Sequence, residues 1–284
     1  MELDRISSLP NDVTEKILSH LLPREAARTS VLSTKWRYKS AMLHDLEFDE
    51  CCWSESQNRE VDDCDDQTSF VKMVDHVLLL HIGPIRKFKL VCDLNELTTR
   101  DIDRWVTHLS RNSIKELILF LWESGYKIPL CVFSCQDLVR LEFTQCMLKP
   151  PSTFKGFSSL KSLQLIAVDL DQDVFQILIR SSPLLEKLTL RHCEGVSNLK
   201  INAPNLKYMH VLGTFDVVNL ESALNITEAE VYVSIHSESA YDRWVPDSWK
   251  PSSSSNLLKI FDHLPRIRRL EIKWHFLKVN VFPG

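Results

Sequence analysis

Apolar residues recur along most of the chain in a six-residue pattern, apolar-x-x-apolar-x-apolar. Two clear copies are Leu160/Leu163/Leu165 and Leu185/Leu188/Leu190. The last two apolar positions of each copy alternate, so on a β-strand they face the same side. The copies begin at Ile85, Ile114, Leu138, Leu160, Leu185, Leu206, Ile226 and Ile267.

The distances between the copies indicate a repeat architecture. The first positions are 29, 24, 22, 25, 21, 20 and 41 residues apart. Six of these distances fall in the roughly 20–29-residue period of leucine-rich repeats. A single repeat cannot bury its apolar side, so such repeats stack into a solenoid. The alternative is an ordinary α/β domain, because leucine is common and one copy alone means little.

Helical periodicity lies between and before these strands. Ile102, Trp105, Val106 and Leu109 follow the i, i+3, i+4, i+7 spacing of a helix face. Val174, Ile177 and Leu178 form a shorter face, and Phe70, Val74, Val77 and Leu78 form another before the first copy. The predicted fold class is therefore α/β: a leucine-rich-repeat solenoid with a curved parallel sheet and helices or irregular returns.

The strand positions between the paired apolar residues should form one exposed face of that sheet. They are mostly polar, as a solvent-facing surface requires. These positions are Lys89, Ile118, Glu142, Gln164, Thr189, His210, Glu230 and Glu271.

The N-terminal segment predicts three short helices. Asp12 with Glu15 makes a capping box, and Val13, Ile17, Leu18 and Leu21 form the apolar stripe of a helix that Pro23 ends. Residues 25–30 predict a second helix, and Ser33 caps a third that contains Trp36 and Tyr38. Three such helices bury little surface, so this module gains stability from a partner.

A strongly acidic segment lies between this module and the repeats. Residues 47–66 contain nine acidic residues and one basic residue, Arg59. A segment so poor in aliphatic side chains predicts a solvated linker. We therefore expect a module at 1–48, an acidic linker at 49–67 and a repeat domain at 68–284, in which the polar stretch 237–256 forms a loop.

Composition narrows the possible functions. The net charge of −4 argues against a nucleic-acid binder. The chain has only six glycines, and no two are closer than 18 residues, so a glycine-rich phosphate loop is excluded. No apolar run reaches the roughly 20 residues of a membrane span, and the polar start predicts no secretory signal. The eight cysteines are expected to be reduced thiols.

The sequence gives little indication of a catalytic or metal-binding site. His76 and His81 are more simply structural, and Cys131 with Cys135 does not make a paired zinc motif. Cys92, Cys146 and Cys193, at or after repeat strands, are expected to fill the core. We predict a non-catalytic protein without a cofactor.

The N-terminal residues resemble an F-box, above all its plant form. The resemblance lies in Leu9-Pro10, Ile17-Leu18, Leu21, Ala26, the run 28–33 and Lys35-Trp36-Arg37, followed by a strand-like Leu46-Glu-Phe-Asp49. An F-box followed by leucine-rich repeats resembles the plant F-box/LRR family, including its branch with a C-terminal FBD domain. An FBD of usual length does not fit after the last repeat, so we expect it to be lacking.

This resemblance implies a function. In the family, the F-box binds a Skp-type adaptor and through it a cullin, so the chain is expected to be the substrate-recognition subunit of an SCF-type (Skp–cullin–F-box) E3 ubiquitin ligase in the nucleus and/or cytoplasm. The alternative is a non-ligase repeat scaffold or inhibitor. The residues implied to face the adaptor are Leu9, Pro10, Ile17, Leu18, Leu21, Val31, Leu32 and Trp36. For Leu18 and Leu32, a role within the module is an equal alternative.

A protein target of unknown identity should bind the repeats. We favour the concave face, with Gln164, Thr189 and His210 among its contacts, because varied polar residues suit specific recognition. The alternative is the loop 237–256, where Trp244 and Trp249 are candidate anchors.

Overall fold

A computed structural model describes residues 9–18, 20–21, 39–50, 63–93, 98–122, 125–215, 217–220, 223–234 and 265–272. The chain divides into two compact units, residues 1–123 and 124–284. The predicted second and third N-terminal helices, with Val31, Leu32 and Trp36, lie outside the described residues, as does the predicted loop 237–256 with Trp244 and Trp249.

Helices and parallel strands alternate in the described residues of the first unit. They are α1 (Asn11–Leu18), β1 (Asp45–Asp49), α2 (Asp63–Leu80), β2 (Lys87–Cys92), α3 (Thr99–Ser110) and β3 (Glu116–Leu121). The strands pair in the order β1-β2-β3, with Leu46 beside Phe88 and Phe88 beside Leu117. These paired apolar side chains are buried, and the apolar faces of α2 and α3 are buried as well.

Short strands dominate the described part of the second unit, which has one α-helix, α4 (Gln172–Arg180), and one 3-10 helix, Leu130–Ser134. The strands are β4 (Tyr126–Lys127), β5 (Arg140–Thr144), β6 (Cys146–Leu148), β7 (Ser162–Ile166), β8 (Asp169–Leu170), β9 (Lys187–Arg191), β10 (Asn198–Lys200), β11 (Tyr208–Thr214), β12 (Val217–Asn219), β13 (Glu228–Ser234) and β14 (Arg269–Ile272).

One parallel ladder runs through the second unit, in the order β5-β7-β9-β11-β13-β14. Its register aligns the repeats: Leu163 lies beside Leu188, and Leu188 beside Met209. All three side chains are at most 1% exposed, because alternation along each strand sends them to the same core. The predicted α/β fold class with leucine-rich repeats is confirmed.

The turn after several ladder strands is left-handed. Gln145, Ala167 and His192 have φ values of 56°, 51° and 51°, although residues with a Cβ rarely adopt this conformation. Each amide donates to a carbonyl of the next ladder strand, as Ala167 N does to Arg191 O at 2.7 Å. The turn leads into a second, outer ladder, β4-β6-β8, which the sequence pattern did not predict.

Three expectations about the first unit need correction. A repeat precedes those predicted: Leu43, Leu46 and Phe48 have the same spacing and are buried around β1. The helix α1 begins at Asn11, so Asp12 does not cap it, and it ends at Leu18 rather than near Pro23. The acidic linker is not wholly irregular, because α2 begins at Asp63 within it.

Candidate functional site

The helix α1 and the turn after it expose an apolar surface, here called the α1 patch, formed by Val13 and Ile17 of the helix and Leu21 of the turn. The side chains of Val13 and Ile17 are 39% and 42% exposed, and Leu21 is half-buried. They line a shallow groove of about 680 Å³ whose polar lining is Asp12, Lys16 and His20. An apolar strip with a polar rim is the usual form of a helix-docking surface.

The predicted adaptor-facing residues do not all belong to this patch. Leu9 is half-buried and Pro10 is exposed just before the helix. Leu18 is only 1% exposed, and this burial favours the role within the module. Val13 was missing from the predicted set, although its position four residues before Ile17 places it on the same helix face.

Local hydrogen bonds hold α1 in place. The amide and the hydroxyl of Thr14 both donate to the carbonyl of Pro10, at 3.0 and 2.7 Å. Because these bonds close the first turn of the helix, Pro10 is fixed next to the α1 patch. At the other end, the ring nitrogen Nδ1 of His20 lies 2.6 Å from the carbonyl of Lys16.

A second candidate surface is the face of the second-unit ladder opposite its apolar core. Its middle row contains one residue from each strand in register: Glu142, Gln164, Thr189, His210, Glu230 and Glu271. The structure thus brings together the predicted target contacts Gln164, Thr189 and His210. Gln164 and Thr189 are half-buried, and neither donates a side-chain hydrogen bond to another described residue.

The acids of the middle row each have a polar partner. Glu142 accepts a hydrogen bond from Arg140 Nε at 2.6 Å, and Glu230 Oε2 lies 3.1 Å from His210 Nδ1. Glu271 accepts from Arg269 Nη2 at 2.5 Å and from the hydroxyl of Tyr232 at 3.2 Å. Since Glu142 and Glu271 each pair with an arginine and Glu230 lies beside a ring nitrogen, the row suits directed hydrogen bonding more than general attraction of cations.

His210 is the most constrained side chain of the row. Its ring meets that of Tyr232 edge-on, with 5.8 Å between the ring centres. Burial lowers the pKa of His210, against the opposing effect of Glu230, so we assign a neutral ring that donates from Nδ1 to Glu230. Its Nε2 is then an acceptor, and it is buried without a hydrogen-bond partner among the described residues.

A less polar row lies beside the middle row on the same face. It contains Thr144, Ile166, Arg191, Leu212 and Tyr232, one from each successive strand. Ile166, Leu212 and Tyr232 are half-buried. The sequence pattern predicted only the middle position of each strand, although residues two positions further on must share its face. Together the rows offer the mixed apolar and polar surface that is typical of protein interfaces.

The cysteines of the repeats are shielded rather than reactive. Burial raises the pKa of the Cys146 thiol to about 12 and those of Cys135 and Cys193 to about 11. Cys92 and Cys146 lie in the core, as predicted, whereas Cys193 is only half-buried. None of the five described cysteines forms a disulfide. A thiol with so high a pKa carries almost no thiolate at neutral pH, and the thiolate is the nucleophile.

We therefore predict that native protein at pH 7.5 leaves Cys146 and Cys193 unmodified by iodoacetamide over minutes, while denatured protein without reductant yields eight reactive thiols. Peptide mass spectrometry of both samples measures this. A total well below eight would show disulfides, and rapid native labelling of Cys146 would contradict its burial.

The described residues show neither a metal-binding group nor a membrane-crossing helix. No set of three or more His, Cys, Asp or Glu among them is arranged to hold a metal ion. None of their helices is both long and apolar enough to cross a membrane.

Comparisons with known proteins match both parts of this architecture. The F-box domain profile matches residues 6–46, and the profile of the leucine-rich repeats of the FBD-associated F-box protein At5g56370 matches residues 102–243. The F-box/LRR-repeat protein At3g58900 of Arabidopsis thaliana is 33% identical over 78% of the chain and 69% of its own length. The chain belongs to the F-box/LRR-repeat family.

Two further relatives from Arabidopsis thaliana extend this family assignment. The F-box/FBD/LRR-repeat protein At1g13570 is 42% identical over 97% of the chain and 63% of its own length. The F-box/LRR-repeat protein At3g59200 is 34% identical over 75% of the chain and 41% of its own length. The chain thus spans about two fifths to two thirds of the length of these two relatives. Within the family, α1 belongs to the F-box and the ladder strands to the repeats.

Proposed function

We propose that the protein is the substrate-recognition subunit of an SCF-type E3 ubiquitin ligase. The observation that carries the proposal is the exposed apolar α1 patch inside the matched F-box. F-box domains generally bind Skp-type adaptors, which connect them to a cullin. The chain itself carries no catalytic step, and we propose that it acts in the nucleus and/or cytoplasm.

The α1 patch supports adaptor binding because its apolar area is accessible on a regular element. Val13 and Ile17 lie one helical turn apart and point to the same side. Burying them in a groove on the adaptor removes apolar surface from water, which contributes roughly 25 cal/mol for each Å². The polar rim of Asp12, Lys16 and His20 then fixes orientation more than affinity.

The two-row face of the second unit supports target binding. Half-buried apolar side chains next to directed donors and acceptors allow a protein segment to bury area and satisfy hydrogen bonds together. The half-buried side chains of Gln164 and Thr189 offer donors and acceptors for those hydrogen bonds. By holding the target near the ubiquitin-charged partner, the chain contributes proximity rather than chemistry.

Measuring target capture distinguishes binding at this face from binding at the loop 237–256. We predict that changing Gln164, Thr189 and His210 together to alanine lowers target capture at least tenfold, because it removes the free polar groups of the middle row. Quantitative mass spectrometry of proteins co-purified with the full chain measures this. The matched variant changes Trp244 and Trp249 to alanine. Loss in the tryptophan variant alone, with both variants folded by circular dichroism, would assign capture to the loop instead.

Target ubiquitination distinguishes the ligase from a repeat scaffold. A ligase subunit with a defective α1 patch still captures its target but no longer promotes ubiquitination, whereas a scaffold shows no such dependence. The comparison is made in full-length chains that differ only at Ile17. Ubiquitination that is unchanged by Ile17→Asp would favour the scaffold.

A further inference from the structure

A basic pocket opens at the edge of the second-unit ladder where the strands begin, away from the middle row. It has a volume of about 510 Å³ and is lined by Asn205, Lys207, Asn225, Thr227, Arg266 and Arg268. Three of these six residues are cationic and none is acidic. Like charges gathered on a small surface repel each other, and an anion relieves that repulsion.

The backbone of the ladder places these residues in order. The carbonyl of Lys207 accepts the amides of Thr227 and Glu228, and the carbonyl of Thr227 accepts those of Arg268 and Arg269. Lys207, Thr227 and Arg268 therefore occupy equivalent positions on three successive strands. Because neighbouring strands are about 4.8 Å apart, Lys207 and Arg268 start about 10 Å apart, with the shorter Thr227 between them. Two long cationic side chains at this separation can converge on one group above Thr227.

The cations differ in how far their charge is compensated. Lys207 Nζ donates to Glu186 Oε2 at 2.9 Å, so its charge is partly balanced. Arg266 Nη1 donates to the neutral amide oxygen of Asn225 at 2.6 Å, which orients the guanidinium without neutralising it. Arg268 is exposed and forms no ion pair with a described residue.

Hydrogen bonds fix the floor of the pocket. Asn225 Nδ2 donates to the carbonyl of Pro204 at 2.6 Å, and Asn205 Nδ2 donates to that of Pro183 at 2.8 Å. These bonds tie each repeat to the preceding one, so the partner of Arg266 is held in position. Such preorganisation reduces the entropy that a ligand loses on binding.

We propose that this pocket binds a phosphate monoester carried by a phosphorylated serine or threonine of a protein. Guanidinium groups bind phosphate oxygens through paired N–H donors. The two guanidinium groups match the double negative charge of the phosphate, while the ammonium of Lys207 is partly balanced by Glu186. The volume exceeds that of one phosphate and leaves room for the flanking backbone of a peptide. The partner class rests on the proposed function, whereas the phosphate-binding chemistry does not.

The test is a titration of the full chain monitored by ³¹P NMR, with three probes: inorganic phosphate, acetyl-phosphoserine-N-methylamide and a single-stranded RNA oligonucleotide. We expect the phosphoserine amide to bind at least as tightly as inorganic phosphate, and the double variant Arg266→Gln/Arg268→Gln to weaken it at least tenfold. A matched variant, Lys161→Gln/Lys187→Gln, removes two positive charges from the same edge outside the pocket, and we expect less than a twofold change.

Several results would overturn the proposal: no binding of the phosphoserine amide, binding of inorganic phosphate or RNA without it, or equal weakening by both double variants. The single variant Arg268→Gln is a control against misfolding, because the exposed side chain of Arg268 forms no hydrogen bond or ion pair with a described residue. Unchanged binding in this folded single variant would also contradict it. None of these results depends on adaptor binding, so they leave the ligase proposal to its own tests.

Discussion

Replacing Trp105 with alanine is expected to lower the free energy of unfolding of the first unit by about 4 kcal/mol. Trp105 is 1% exposed in α3 and is among the largest fully buried side chains. Its indole Nε1 also donates to Asp75 Oδ1 of α2 at 2.7 Å. Alanine would leave a cavity between the helices and remove this bond. Asp75 would keep its ion pair with Arg104, whose Nη2 lies 2.8 Å from the same oxygen.

Hydrogen–deuterium exchange measures this change best, because it follows the two units separately. Trp105→Phe is the matched control: it keeps most of the ring volume but loses the hydrogen bond, so we expect a loss of about 1–2 kcal/mol. Amides of α2 and α3 should lose protection in both variants, and more in Trp105→Ala. Unchanged protection in Trp105→Ala would show that the tryptophan does not hold these helices together.

Changing Ile17 to aspartate is expected to weaken binding of the Skp-type adaptor at least about 30-fold, roughly 2 kcal/mol. The side chain is 42% exposed, so the substitution spares the core. In the complex it would instead bury an unpaired carboxylate against an apolar groove. Leu9→Ala with Pro10→Ala should weaken binding less, because these residues lie at the end of the α1 patch.

Titration of the purified full-length chain with the adaptor, by calorimetry, gives this affinity. Leu79→Asp is the matched control, since Leu79 is an 82% exposed apolar residue on α2, outside the matched F-box. The control should bind the adaptor like the unaltered chain. Equal binding by Ile17→Asp would remove the main support for the ligase proposal.

The apolar pattern predicted the repeats well because it depends on local geometry. Leu163 and Leu165 had to face one side of a strand, and their buried ladder partners Leu188 and Leu190 repeat the arrangement in register. The same alternation predicted the middle row, so Gln164, Thr189 and His210 were brought together as expected, although all three are half-buried. Ile118 and Glu142, which were also expected to be exposed, are buried because neighbouring side chains cover their strands. The F-box was identified from its residue pattern, whereas the free apolar area of Val13 emerged only with the helix in place.

Tertiary structure decided what depends on neighbouring strands. Leu46 and Phe48 already looked like a strand in the sequence, but only the pairing of β1 with β2 makes them part of the repeat ladder, with Leu46 beside Phe88, 42 residues further along the chain. The left-handed turn at Ala167 is stabilised by the next repeat, whose Arg191 carbonyl accepts its amide. Likewise, Arg266 and Arg268 are remote from Lys207 in sequence and meet it only because β14 closes the ladder beside β13. The sequence by itself determines how apolar and polar side chains alternate along each strand, but a pocket formed by residues from three strands exists only once those strands pair.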